Sequence, residues 1–325
     1  MQAYIVKKVA RCMDQQSLFR SGILASFLFA GLTLAALLLP LIGFLLMLVL
    51  PLPFVVFTYH YGWRAGAVAG LFSLMLLVIL IAPLAPSMFV IFGVTGIIMG
   101  ELFRQKTPAF GVFAGTVLTV TAGVVFSYVA FMAFTSTDPI AAFQTAMEES
   151  MDQTETLIGI DAEEEVGAVE DVMAFIDGLQ VIAPMLLVAV SAVTAFLLQV
   201  TAQAWMRRRS LEAPSFPPLR EWSLPRVFIW YYLAAIILSF INQSEGAEGM
   251  LHTVAANVTP VMEFLMVLQG LSFLFFFFHW KQMNILLPIL ISLSLLIFPF
   301  MLPIVRILGI IDLGFDLRMR LTSQR

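Results

Sequence analysis

The sequence predicts an all-α fold: a polytopic α-helical membrane bundle of about eight to ten transmembrane helices with an acidic extracytoplasmic helical hairpin. Three observations lead there. Of the 325 residues, 61% are hydrophobic and only 12% charged, with mean hydropathy +0.98; soluble domains are roughly 45–50% apolar and a quarter charged. Apolar runs of about 17 to 25 residues recur from Gly22 onward, each long enough at about 1.5 Å per residue to cross a hydrocarbon core of about 30 Å. Finally, Lys and Arg are distributed so unevenly that they orient the chain.

Residues 1–21 carry Lys7, Lys8, Arg11 and Arg20 and read as a cytoplasmic N-terminal segment. The apolar run after them ends in Leu37 to Leu39 and Pro40 instead of the small residues of a cleavage site, so it is a retained anchor and not a signal peptide. Spans are expected at 22–39, 41–58, 65–82, 87–103 and 109–134, punctuated by Pro and Gly, and together they form an N-terminal membrane bundle, 22–134. After an acidic segment, 135–178, come C-terminal membrane helices in 179–311, with spans at 179–206, 227–242 and 254–279. The last apolar region, 285–311, is interrupted by Pro299 and Pro303 and reads as one tilted helix or two short halves. Residues 312–325 form a cytoplasmic tail. The single cysteine, Cys12, excludes an intramolecular disulfide and a multi-cysteine metal site; it reads as an inert thiol, or as a lipidated or reactive one.

With the N-terminus inside, alternate turns contain Arg64; Arg104 and Lys106; Arg207 to Arg209 with Arg220 and Arg226; and Lys281. The opposite turns contain none, and no Lys or Arg occurs between Lys106 and Arg207. The positive-inside rule therefore puts 135–178 outside. The rule also draws Arg306, Arg318, Arg320 and Arg325 inward, which favours two halves in 285–311. All five tryptophans, Trp63, Trp205, Trp222, Trp230 and Trp280, fall in or beside the basic turns, as an interfacial belt would.

The stretch MEESMDQTETLIGIDAEEEVGAVEDV, 147–172, has ten carboxylates and no basic residue. Asp138 and Pro139 look like an N-cap and first helical position, followed by Ile140, Phe143, Met147, Met151 and Ile158 at helical steps. A second arm starts at Asp161, with Glu163 to Glu165 in its first turn, where the helix dipole favours anions, and Val166, Val169 and Ile176 along one side. Gly159 joins the arms. The hairpin reads as a solvated cap on the bundle, or as an element that docks a partner or gathers cations; a calcium loop is disfavoured because no D-x-[DN]-x-[DN]-G run is present.

Small residues recur every fourth position: Gly62, Gly66 and Gly70; Ala65, Ala69 and Ser73; Gly111, Gly115, Thr119 and Gly123; Gly22, Ser26 and Ala30. Such strips let backbones approach closely, either within the bundle or against a partner subunit. A charge near the bilayer centre is kept only with a partner or a cavity, which singles out Glu263, after Thr259 and Pro260 and with Asn257 further outward. Glu263 is a ligand carboxylate or a neutral hydrogen-bonded core residue; with Asn257 and His252 it forms the candidate substrate-binding set, which Glu248 could join. Gln199 and Gln203 share a face and are placed to cross-bond to another helix. No G-x-x-x-x-G-K-[ST], H-E-x-x-H or G-x-S-x-G run occurs, so the expectation is no enzyme, no catalytic residue, no metal, no cofactor and no nucleic acid, with the lipid bilayer as the first partner.

The C-terminal RILGIIDLGFDLRMR, 306–320, with Gly309, Asp312, Asp316 and Arg318 in a G-x-x-D-x-x-x-D-x-R pattern, resembles the tail of the YybS-like family of bacterial predicted multi-pass membrane proteins, as does the turn HYGWRAGAVAG, 60–70. The N-terminal half of that family is similar in layout to substrate-capture (S) subunits of energy-coupling-factor transporters. The resemblance implies a bundle in a bacterial cytoplasmic (inner) membrane that binds a small molecule from outside and borrows a coupling subunit and an ATPase. Asp312 and Asp316 are four apart, as on one helix face, and Asp316 stands four before Arg320, which suits an i,i+4 ion pair. The tail is then a clamp ending the last helix or, with Asp312, Asp316, Arg318 and the strip Gly62, Gly66 and Gly70, part of a docking site. Two functional classes follow: a transport-related small-molecule-binding subunit, or an anchor, assembly or regulatory factor that docks an envelope protein through the acidic hairpin.

Overall fold

A computed structural model of the chain describes residues 2–135, 145–146, 149–150, 162–241 and 249–323. Among the described residues the chain is helical and has no strand. Seven stretches among the described residues are long and apolar enough to cross a membrane, from Gln16–Leu38 to Met250–Trp280, and a sharply bent helix pair near the C-terminus, taken as one span, makes an eighth. The polytopic helical bundle expected from composition is therefore what the chain forms. It divides into two units, Met1–Val169 with Leu187–Phe216, and Glu170–Leu186 with Pro217–Arg325.

The first unit begins with α1 (Gln2–Leu38), one helix through both the basic segment and the first apolar run. The expected second span is two helices, α2 (Pro40–Val49) and α3 (Leu52–Tyr61), because Pro51 lacks the N–H that would continue the ladder. Gly62, at φ +84°, makes the reversal into α4 (Trp63–Ile81), a conformation that side chains disfavour. The fourth span consists of α5 (Ala85–Met88), a π-helical turn Phe89–Val94 and α6 (Thr95–Arg104), and α7 (Ala109–Thr135) follows.

The small-residue strips hold this unit together. Gly22 packs on Phe57 and Ala69, and Ser26 donates to the Ala69 carbonyl at 2.8 Å, so the α1 and α4 strips face each other. Gly96 and Gly100 lie on the backbone of α3, where a Cβ would meet the Pro51 and Val55 carbonyls. Phe29, Phe54 and Phe89 fill the space between, with Phe29 and Phe54 centroids 5.0 Å apart.

Helix α8 (Ala162–Arg208) contributes to both units. Its 47 residues join the expected second arm of the hairpin to the sixth span with no break at 178, since Gly178 is an isolated breaker among helix formers. The first arm, 138–158, lies outside the described residues except for 145–146 and 149–150, and so do the caps at Asp138 and Asp161.

The second unit contains α9 (Val227–Ile241), α10 (Met250–Trp280), α11 (Leu286–Ile297), a 3₁₀ turn Pro299–Met301, α12 (Leu302–Phe315) and α13 (Leu317–Ser323). The apolar region 285–311 is thus two halves, bent by 111° at the proline-bearing turn. Helices α10 and α12 touch backbone to backbone: a Cβ on Gly270 would fall on the Val305 carbonyl, and one on Gly309 on the Met266 carbonyl. Glu263 meets Arg306, and Gln269 meets Asp312, both at an offset of 43 residues. From Glu263 with Arg306 through Gln269 with Asp312 to Ser272 with Arg318 the contacts advance together along both stretches, so the two helices run in the same direction and the Lys281 end of α10 and the tail end of α12 share one face.

Candidate functional site

Glu263 sits near the middle of α10, whose 31 residues span about 46 Å. Its carboxylate forms an ion pair with Arg306, one turn into α12 after the break, and has no other partner among the described residues. Tyr232, buried on α9, lies close enough to the same guanidinium and carboxylate to interact with both. The guanidinium side chain is 22% exposed and the carboxylate side chain 43%, so the acid is the open half of the pair. Sequence reasoning found Glu263 but assigned Arg306 to the basic side; the charge-bearing halves of two spans had to be aligned to pair them.

The other members of the expected substrate set do not converge on Glu263. The amide of Asn257 makes three hydrogen bonds: its Oδ1 accepts from the Met185 N–H at 2.8 Å, and its Nδ2 donates to the carbonyls of Val181 and Thr253, each at 2.7 Å. Met185 N–H and Val181 C=O are partners in a regular helix, so Asn257 inserts into the ladder of α8 beside Pro184. His252 lies eleven residues before Glu263, about 16 Å along the axis. Glu248 is outside the described residues. Gln199 does cross-bond to another helix, donating to the Ala109 carbonyl at 3.0 Å, whereas Gln203 donates to Pro214 in the following loop.

The tail residues form a second cluster. Asp312, 3% exposed, accepts through Oδ2 from Gln269 Nε2 at 2.6 Å and Arg318 Nε at 2.9 Å. Arg318 also donates to the Arg220 carbonyl and to Ser272 Oγ, each at 3.0 Å, and covers the Phe276 ring. Ser272 in turn donates to the Leu219 and Trp222 carbonyls, and Gln269 Oε1 accepts from the Leu224 N–H. The expected Asp316–Arg320 ion pair is not formed. Asp316 adopts a left-handed conformation that ends α12, leaves the helix face carrying Asp312, and pairs with Arg226. Beside the cluster is a cleft of about 290 Å³ lined by Arg226, Asp312, Asp316 and Arg318 with Ser223 to Pro225. Every bond described here ties α10, α12, α13 and the 217–226 loop to each other.

The docking strip is also covered from within. Gly62 lies against Arg104, Gly66 against Thr58 and Ile97, and Gly70 against Phe89 and Ile97. The turn they open is tied by a residue that the sequence reading passed over, Glu101. Its carboxylate accepts from the Trp63 N–H at 3.0 Å, from Arg104 Nε and Nη2 at 2.9 and 2.7 Å, and from Gln105 at 2.8 Å. A lone acid near the end of an apolar run, three residues before an arginine, was the available signal. Among the described residues no three of His, Cys, Asp or Glu converge on a metal site.

Comparison with known proteins agrees with this architecture. No solved structure matches the chain. It is 29% identical over 313 residues to a Bacillus subtilis (strain 168) protein called "Uncharacterized protein YybS", covering 94% of this chain and 99% of the other. The family described as "Predicted membrane protein (DUF2232)" matches residues 27–313, which include Glu101, Glu263, Arg306 and Asp312, and the chain belongs to that family of membrane proteins.

Proposed function

We propose that the protein is a small-molecule-binding membrane subunit of a transport system, lacking its own ATPase and catalysing no bond chemistry, with its solute site at Glu263, Arg306 and Tyr232. The observation that carries this reading is an ion pair between two membrane helices beside a break in one of them. Charges at membrane depth are costly and are kept where a solute or ion must be met, and interrupted helices supply such sites in many transporters. In this reading the chain lies in a bacterial cytoplasmic membrane with its N-terminus, basic turns and tail inside and residues 135–178 outside. The common direction of α10 and α12 supports that orientation, because it brings Lys281, Arg318 and Arg320 to one face. Contact with a coupling subunit and ATPase is made elsewhere than at Gly62, Gly66 and Gly70.

The test is complementation of a deletion strain beside protein abundance in the membrane. The double variant Glu263→Gln with Arg306→Gln leaves no charge unpaired and is expected to keep abundance while losing complementation. Full complementation by that variant sinks the reading. One observation favours a second reading, an anchor or assembly factor for an envelope protein: α8 continues as helix for about 19 residues, roughly 28 Å, before its apolar stretch at Val181–Arg208. In that case deletion of residues 136–161 abolishes complementation and the double glutamine variant is silent.

A further inference from the structure

The Glu263–Arg306 pair restricts what can bind to it. The two charges cancel, and at membrane depth any net charge is opposed by several kcal/mol on insertion scales. An anion entering alone would leave the site negative, and a cation entering alone would leave it positive. A solute bearing one ammonium and one carboxylate replaces the pair at no change in net charge: its ammonium takes the place of the guanidinium on Glu263 and its carboxylate the place of the acid on Arg306. The partners suit this exchange. Arg306 has further N–H donors and, with Tyr232 beside it, a fixed and largely buried head, while Glu263 is the more exposed side chain and is free to swing on its own helix.

The helices also supply room for the rest of such a solute. An open groove of about 340 Å³ runs between α9 and α10, lined by Tyr231, Ala234, Ala235, Leu238, Val258 and Met262, all apolar apart from one phenol. Val258 and Met262 are one turn apart on the stripe of α10 next to Thr259 and Glu263, and Tyr231 and Ala235 flank Tyr232 on α9 in the same way. The volume lies at the lower end of ligand pockets and is ample for one aliphatic or aromatic side chain. We infer that the site takes a zwitterionic α-amino acid with an apolar side chain, its ammonium on Glu263, its carboxylate on Arg306 and its side chain along the open α9–α10 groove. This rests on the reading of the pair as a solute site.

The experiment is a thermal-stability titration of the full-length protein in lipid nanodiscs with alanine, valine, leucine, isoleucine, methionine and phenylalanine at millimolar concentration. In parallel, 4-methylpentanoate and 3-methylbutylamine present leucine without its ammonium or without its carboxylate. At least one amino acid of the set is expected to raise the melting temperature by a few degrees, with neither truncated analogue doing so, and the shift is expected to vanish in the Glu263→Gln, Arg306→Gln double variant. To confirm the groove, Ala234→Leu, at an exposed lining position, narrows it and leaves both charges, and should weaken binding at least about tenfold for the larger side chains and less for alanine. If 4-methylpentanoate alone stabilises the protein, with proton uptake, or the amine alone does, the solute site stands and the zwitterion inference falls. If none of the amino acids shifts the wild type, the inference falls as well; the complementation result for the double variant then decides separately whether the pair is a solute site.

Discussion

Glu101 and Glu263 are both glutamates in apolar helices paired with an arginine, and they differ in what is left over. Glu101 pairs within its own helix, three residues from Arg104, at the end of the span, and its two oxygens accept four hydrogen bonds, including the first N–H of α4. A carboxylate has about four acceptor positions, so nothing remains for a ligand. Glu263 pairs across two helices at mid-length and has one partner among the described residues. The lesson is that an ion pair in a membrane protein is read by its unused bonding capacity as much as by its depth. Asp312 belongs with Glu101: buried, shared between Gln269 and Arg318, and enclosed by a loop whose carbonyls are also occupied.

The contrast can be broken most forcefully at Asp312. Asp312→Ala strands Arg318 and Gln269 in a buried site and is expected to cost about 3 kcal/mol or more, read as a fall in melting temperature and membrane abundance. Gly309→Leu comes next, because its side chain has no space against the Met266 carbonyl; a loss of about 2–3 kcal/mol is expected in the same assay. Glu101→Gln should cost about 1–2 kcal/mol, since the amide turns a donor toward Arg104 and loosens the Trp63 cap, whereas the doubly neutralised Glu263 and Arg306 variant should melt within about 1 kcal/mol of wild type. A larger loss at the Glu263 pair than at Glu101 would reverse the assignment of site and staple.

The smallest effect is expected at Lys106 and Glu212, paired at 2.7 Å on the surface. The pair holds the Glu212 carboxyl below its usual range and the Lys106 amine above its own. The depressed acid contributes stability that is present above its unfolded pKa and lost as pH falls through the folded one; the raised amine contributes stability present below its unfolded pKa and lost as pH rises through the folded one. Between about pH 6 and 8 both contributions are intact, so the pair gives no slope there. Both side chains are about three-quarters exposed, and Glu212→Gln should leave the melting temperature unchanged within error.

The spans were legible because hydropathy and proline act locally: every expected span has a helix, and Pro299 and Pro303 mark a real interruption, whereas the break at Pro51 fell inside a span expected to be whole. The small-residue strips were legible as strips, but whether they face a partner or a neighbouring helix depends on which helices meet, and Ser26 on Ala69 answers that only in three dimensions. The tail motif was legible as a motif and misread in geometry. Spacing of four implies one face only if the helix continues, and α12 stops at Phe315 with Asp316 in a left-handed turn. Arg306 was hidden by the positive-inside rule, which counts charges in loops and has no place for one held inside by an acid on another helix.

The π-helical turn at Phe89–Val94 sets the rotational phase of everything after it in that span. A π turn contains one residue more than the α-helical path requires, and such turns are the trace of a single inserted residue in an ordinary helix. Removing one residue from 89–94 would restore regular winding and turn Thr95–Arg104 by about 100° while drawing it back by about 1.5 Å. Glu101 would then face away from Trp63, Gly96 and Gly100 would leave the backbone of α3, and bulky neighbours would take their places. Composition and hydropathy would be almost unaltered by that deletion, yet the first unit would lose both the backbone contact of α3 with α6 and the clasp on the turn at Gly62.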